Sequence, residues 1–111
     1  MQFDLDDIAH TIHANAVEKG FWDANTEENR TIFYLKQLAM IHSEVSETLE
    51  AIRKEKGDDV VVEELADIII RVLDFWAFLS QTHYTNLSLA NAIVAKMEKN
   101  LQRPKMHGVL A

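Results

Sequence analysis

Hydrophobic and polar positions recur with a helical period along most of the chain. Leu5, Ile8, Ala9, Ile12 and Ala16 form one apolar stripe. Asp4 is placed to cap that helix, Asp6 and Asp7 sit in its first turn near the positive end of the dipole, and Gly20 stops it, so a first helix is predicted over about 4–19. A polar loop, Gly20 to Arg30, carries the large aromatics Phe21 and Trp22, with Thr26 as a capping residue for the turn beyond. A long second helix is predicted over about 31–56, ending before Gly57. Its strongest pattern is Leu35, Leu38, His42, Val45, Leu49 and Ile52, at successive spacings of 3, 4, 3, 4 and 3, which reads as a bundle seam with His42 in the core.

Asp58 and Asp59 stand at the next turn and can cap a third helix over about 60–83. Its apolar residues spread over most of the circumference: Leu65, Ile69, Val72 and Trp76 on one side, Ile70, Leu73 and Ala77 on another. A helix apolar on most sides is expected to be buried on most sides. Four helices of these lengths do not cover that much surface alone, so an oligomer is expected. Ser88 caps a shorter fourth helix over about 89–102, with Leu89, Ala92, Ile93 and Met97 expected inward, and Pro104 ends regular structure before the tail KMHGVLA. The pattern therefore predicts an all-α fold: a four-helix bundle protomer in a single domain, 1–111, assembling further.

Composition narrows the function classes. The net charge of −7 lacks the basic footprint of a nucleic-acid binder. The chain has no Cys, which excludes a thiolate zinc site, a disulfide framework and a Cys nucleophile. No apolar run approaches the ~20 residues of a membrane span, and the first ten residues, MQFDLDDIAH, are acidic and unlike a leader, so no membrane association and a cytoplasmic location are expected.

The residues that carry chemistry lie on the two long helices. The second bears Glu44 and Glu47 in EVSE; the third bears Glu64 and Asp67 in ELAD. Each pair is spaced i, i+3, so its members occupy adjacent turns of one face beside an apolar seam. If the helices pack antiparallel across the Gly57 turn, the carboxylates converge. Like charges brought together repel, and a hard cation such as Mg²⁺ or Mn²⁺ cancels that repulsion with an all-oxygen ligand set. A di-iron bundle would need Glu-x-x-His, and neither Glu44 nor Glu64 is followed three residues on by His. Arg71 and Asp74 continue the stripe of the third helix; Arg71 is expected to pair with the acids, and Asp74 to hold a supporting partner.

At these residues the sequence resembles the MazG-like nucleoside triphosphate pyrophosphohydrolases, an all-α family whose signature is ExxE on one helix and ExxD on the next. Here the signature stands as Glu44-x-x-Glu47, a 16-residue gap, then Glu64-x-x-Asp67. The string LAMIHSEVSETLEAIRK, the preceding GFWD and the C-terminal KMEKNLQRPKMHG are also similar to segments of the small members, so the resemblance runs from Gly20 to Gly108.

The resemblance implies hydrolysis of a (d)NTP between the α and β phosphates, giving (d)NMP and pyrophosphate. Glu44, Glu47, Glu64 and Asp67 would be the Mg²⁺ ligands (Mn²⁺ being a possible substitute), in a homodimer or homotetramer with its sites at the subunit interface. A carboxylate not fully used as a ligand can take the proton of the attacking water, a role assigned to Glu47, although the sequence does not separate base from ligand. Lys96, Asn100 and Arg103 are expected to hold the phosphates. Trp22 and Phe21 are expected at the substrate, stacked on the base, with a staple into the core as the other reading of these aromatics; His107 lies in the tail. Two other classes remain open: a non-catalytic acidic helical interaction module, and a metal-dependent phosphohydrolase that releases orthophosphate.

Overall fold

The computed structural model describes residues 4–82 and 87–104. It contains α1 (Leu5–Glu18), α2 (Arg30–Arg53), α3 (Asp58–Thr82) and α4 (Leu89–Leu101), with no strand among the described residues. The predicted all-α layout of four helices is the observed one, and the helix ends fall within three residues of expectation.

Local signals act as anticipated at three of the four starts. The Asp4 carboxylate accepts from the backbone N–H of Asp6 at 2.9 Å and of Asp7 at 3.4 Å. Thr26 and Asn29 bond reciprocally ahead of α2: Thr26 N–H donates to Asn29 Oδ1 at 2.8 Å, and Asn29 N–H donates to Thr26 Oγ1 at 3.3 Å. The Ser88 hydroxyl accepts from Asn91 N–H at 3.1 Å. Asp58 and Asp59 lie inside the first turn of α3 instead of ahead of it, where they still face the positive end of the dipole. Between α2 and α3 the chain reverses through Glu55 at φ 50° and Gly57 at φ 110°. Lys56 N–H reaches back to the Ala51 carbonyl at 3.0 Å, which closes the end of α2.

α3 is the central helix. α1 and α2 both pack on it, and α4 packs on α1. Two apolar clusters hold the layers together. Ala16, Trp22, Phe33 and Phe78 form one, with the Trp22 and Phe78 rings stacked at 4.3 Å and 5°. Ala9, Leu73 and Ala77 form the other, edged by Ile8, Ile12, Trp76 and Leu89. Burying each large side chain contributes about 1.5–3 kcal/mol, so these aromatics dominate the core.

The expected seams are not the ones buried within the chain. On α2, Leu35, Leu38, Val45, Leu49 and Ile52 are 47–61% exposed, and His42 is exposed with them. The inward stripe is instead Phe33, Met40, Glu44, Thr48 and Ala51, a weaker pattern because it includes polar residues. On α3, Leu65, Ile69, Ile70 and Val72 are exposed, whereas Leu73 and Ala77 are buried and Trp76 is half-buried. On α4, Leu89 is half-buried, but Ala92, Ile93 and Met97 are exposed rather than inward. The chain is a three-helix layer with α4 as an arm, not four helices around one core. Its Cα radius of gyration of 16.3 Å exceeds the about 13 Å of a compact domain of this length.

Candidate metal centre and its cavities

Glu44 and Glu47 project from α2 toward Glu64 on α3. One carboxylate oxygen from each of the three lies within 4.8 Å of the other two. Glu64 Oε2 is buried with no hydrogen-bond partner, an arrangement that costs free energy unless something positive meets it. Glu44 is tied on its other side by Arg71, whose Nε donates to Glu44 Oε1 at 2.8 Å while Nη1 lies 4.0 Å from Met40 Sδ. The ion pair expected of Arg71 therefore forms, and it aims Glu44 at the cluster.

Glu47 carries the electrostatic signature of the crowding. A hydrogen bond with Glu44, and then the Glu44 charge, push the Glu47 carboxyl above its ordinary value, with smaller contributions from partial desolvation and from Glu64 and Asp67. Three converging carboxylates, one with an orphaned buried oxygen and one whose charge is disfavoured by its neighbours, fit a hard divalent cation. The donor set is all oxygen, as Mg²⁺ and Mn²⁺ prefer.

Asp67 is not in this triad. It is exposed one turn beyond Glu64 and lines a cavity of about 480 Å³ between α1 and α3. That cavity shares Glu44 and Asp67 with the acidic region. Its other walls are Ile12, Asn15, Ala16 and Lys19 from one face of α1, Ile70, Arg71 and Asp74 from one face of α3, and Phe21 from the loop. A second cavity, of about 490 Å³, borders Glu47 and Glu64 with Ser43, Ser46, Glu50 and Lys56. The acidic residues thus separate one cavity with an aromatic and aliphatic wall from another with none, and each cavity has a lysine on its rim, Lys19 and Lys56.

Trp22 is not on either cavity. It is 8% exposed and stacked on Phe78 in the core, so the staple reading holds and its ring face is unavailable to a substrate. Its indole N–H donates to both oxygens of Asp74 at 3.1 Å. The same carboxylate bonds His13 Nδ1 at 2.7 Å. His13 is 4% exposed, with its ring edge-on to Trp22 and Phe78. The core histidine is therefore His13 rather than His42. Its signal lies in the 9, 13, 16 spacing of inward positions on α1, which a pattern of apolar residues alone does not include. Asp74 is the supporting residue anticipated, and what it supports is the joint between α1, the aromatic loop and α3. Asp74→Ala leaves a buried indole N–H and an imidazole without their partner. It is expected to cost about 3 kcal/mol of stability, read from the midpoint of urea unfolding at constant slope.

Lys96, Asn100 and Arg103 are all exposed on or just after α4, and their side chains form no hydrogen bond or ion pair among the described residues. Within one chain the structure does not bring them to the acidic cluster. His107 lies outside the described residues.

The fold and the centre define a class: an all-α protein whose second and third helices bring three carboxylates together. Residues 34–107 match the MazG nucleotide pyrophosphohydrolase domain, about two-thirds of the sequence, and the chain belongs to that family. Neither the curated proteins nor the solved structures gave a match. No helix among the described residues is long and apolar enough to cross a membrane.

Proposed function

We propose that this protein, as one MazG-like domain spanning 1–111, hydrolyses (d)NTPs to (d)NMP and pyrophosphate. The observation that carries the reading is the convergence of Glu44, Glu47 and Glu64 around a buried, unpartnered Glu64 oxygen in a chain of this family. These three would hold Mg²⁺, or Mn²⁺ in its place, with Asp67 supplying a further carboxylate from the cavity side. Bound there, the ion neutralises phosphate charge and lowers the pKa of water at the site.

The remaining work falls to the side chains. Glu47, the exposed member of the triad and so the one least committed as a ligand, takes a proton from the attacking water. Arg71 holds Glu44 in place through their ion pair. The chain assembles as a homodimer, or as a homotetramer built from two dimers, because the aliphatic faces of α2 and α3 lie open in the protomer. That assembly lets Lys96, Asn100 and Arg103 on the α4 arm grip phosphates in the site of a second copy. Trp22 acts at one remove, fixing the loop that presents Phe21.

Chromatography of the products from a panel of deoxynucleoside and nucleoside triphosphates tests the reaction. Monophosphate and pyrophosphate, with turnover abolished by EDTA and restored by Mg²⁺, are expected. Diphosphate with orthophosphate, or turnover indifferent to EDTA, overturns the reading; no turnover at all leaves the acidic interaction module standing. Arg103→Ala is expected to lower kcat/KM roughly tenfold to a hundredfold by removing a charge-assisted contact. Mg²⁺ affinity of the free protein, measured by calorimetry, should be unchanged, since Arg103 makes no contact with the triad.

A further inference from the structure

The two cavities bordering the acidic residues differ in chemistry, and a triphosphate cut between its α and β phosphates has two chemically different halves. We infer that the cavity between α1 and α3 takes the nucleoside half, with Asn15 reading the edge of the base and Phe21 supporting its face, while the cavity bordered by Ser43, Ser46 and Lys56 takes the pyrophosphate half. This assignment rests on the proposed reaction and goes beyond it, since that reaction alone does not say which side of the cluster holds which half.

The argument is an accounting of unspent groups. Among the polar groups of the α1–α3 cavity, Glu44 is engaged by Arg71, and Asp74 by His13 and Trp22. That leaves Asp67, Lys19 and the Asn15 amide, none of which has a side-chain bond among the described residues. An amide offers a donor and an acceptor side by side, which matches the mixed donors and acceptors along the edge of a nucleobase, whereas a phosphate, an acceptor only, uses just its NH₂ half. Phe21 is 67% exposed on the same wall, and Ile12 and Ile70 line it too. Aromatic and aliphatic surface is what a base stacks on and what a phosphate avoids.

Lys19 can meet the single phosphate of the nucleoside half, and the other cavity differs in having no apolar wall. It has no aromatic or large aliphatic side chain among its lining residues, and its uncharged polar groups are the hydroxyls of Ser43 and Ser46. Lys56, exposed beside them, has no ion-pair partner among the described residues and brings a point charge suited to an anion. Glu50, which also borders this cavity, is engaged by Arg53 and Lys54. Both cavities are within the range of volumes that hold ligands of this size.

Titration calorimetry with the two products separates the halves without requiring turnover. In the presence of Mg²⁺, nucleoside monophosphates and inorganic pyrophosphate are titrated separately into the wild type, Asn15→Ala, Phe21→Ala and Lys56→Ala. Asn15→Ala is expected to compress the spread of affinities among the four deoxynucleoside monophosphates by about tenfold, and Asn15→Asp to change which base binds best. Phe21→Ala should weaken all four by about tenfold, with the mass by light scattering unchanged. Lys56→Ala should weaken pyrophosphate by about tenfold and leave the ranking of bases as it was. Unchanged base preference in both Asn15 variants overturns the assignment. So does a loss of pyrophosphate rather than monophosphate binding in the Asn15 and Phe21 variants, or a change of mass in Phe21→Ala, which would make Phe21 an interface residue. If the wild type binds both products as described yet releases no pyrophosphate from any triphosphate, the catalytic reading fails and the cavity assignment stands.

Discussion

Glu47→Gln is expected to reduce pyrophosphate release by about a thousandfold or more while the metal-free protein melts no lower than the wild type. The two halves of that expectation have one cause. Glu47 stands against Glu44, whose hydrogen bond and charge hold the Glu47 carboxyl above its ordinary value. The folded chain therefore binds a proton there more tightly than the unfolded chain does. By linkage, stability falls as pH rises from the ordinary carboxylate value through the raised one, and above that window the ionised cluster is a standing penalty. Acidifying the metal-free wild type from about pH 7 into that window should thus relieve the penalty, and the Gln variant, with no proton to gain at 47, should lack that part of the response. Asp67→Asn should likewise lose turnover without unfolding. Melting curves in EDTA across the pH range, with far-UV spectra to verify folding, check both. A clear fall in the metal-free melting temperature of Glu47→Gln would show that the carboxylate is a structural partner, and the proposed site would fail. A divalent cation competes with the same proton, so its binding should release protons and weaken as pH falls.

Much of this could be read from residue order, and the parts that could not have physical reasons. Caps at Asp4 and Ser88 and the stops at Gly20 and Gly57 are local chemistry, so the helices fell where expected. The acidic pairs were legible because their spacing fixes a shared face, and three of the four acids do converge. Asp67 lies outside the triad on the α1 cavity, near enough for its charge to act on Glu47, and the spacing alone does not distinguish it from Glu64. What misled was the strength of the aliphatic pattern on α2. Hydrophobic periodicity reports which face leaves water, not what it leaves water for. Leu38, Leu49 and Ile52 are more apolar than the inward Met40, Glu44 and Thr48, yet the inward face is the one α3 covers. Likewise Trp22 could be placed in a loop but not in a core, because its partner Phe78 and its acceptor Asp74 lie more than fifty residues away.

That open aliphatic face carries the second large effect. Leu49→Glu, or Ile69→Glu on the neighbouring helix, is expected to convert the proposed dimer to monomers and to abolish turnover, although neither residue belongs to the triad. Leu35, Leu38, Val45, Leu49 and Ile52 on α2 and Val62, Leu65, Ile69 and Val72 on α3 all lie open in the protomer, where isolated exposed hydrophobes would be ordinary but a set in helical register is not. Burying a charge in such a face, with no partner for it, costs several kcal/mol, enough to weaken association more than a hundredfold. In the protomer these positions are exposed, so the substitutions should leave the monomer folded. Light scattering at micromolar concentration measures the mass, and a wild type that remains at 12.7 kDa overturns the assembly directly. Turnover is the sharper reading, because α4 packs on α1 and its phosphate-binding candidates make no side-chain bond to the acids of their own chain. If Arg103 serves the site of a second copy, mixing the Glu47→Gln and Arg103→Ala proteins should recover activity above that of either alone. Recovery requires mixed dimers in which one site keeps both an intact triad and an intact arm. Mixed dimers with no recovery would place the arm in its own chain's site.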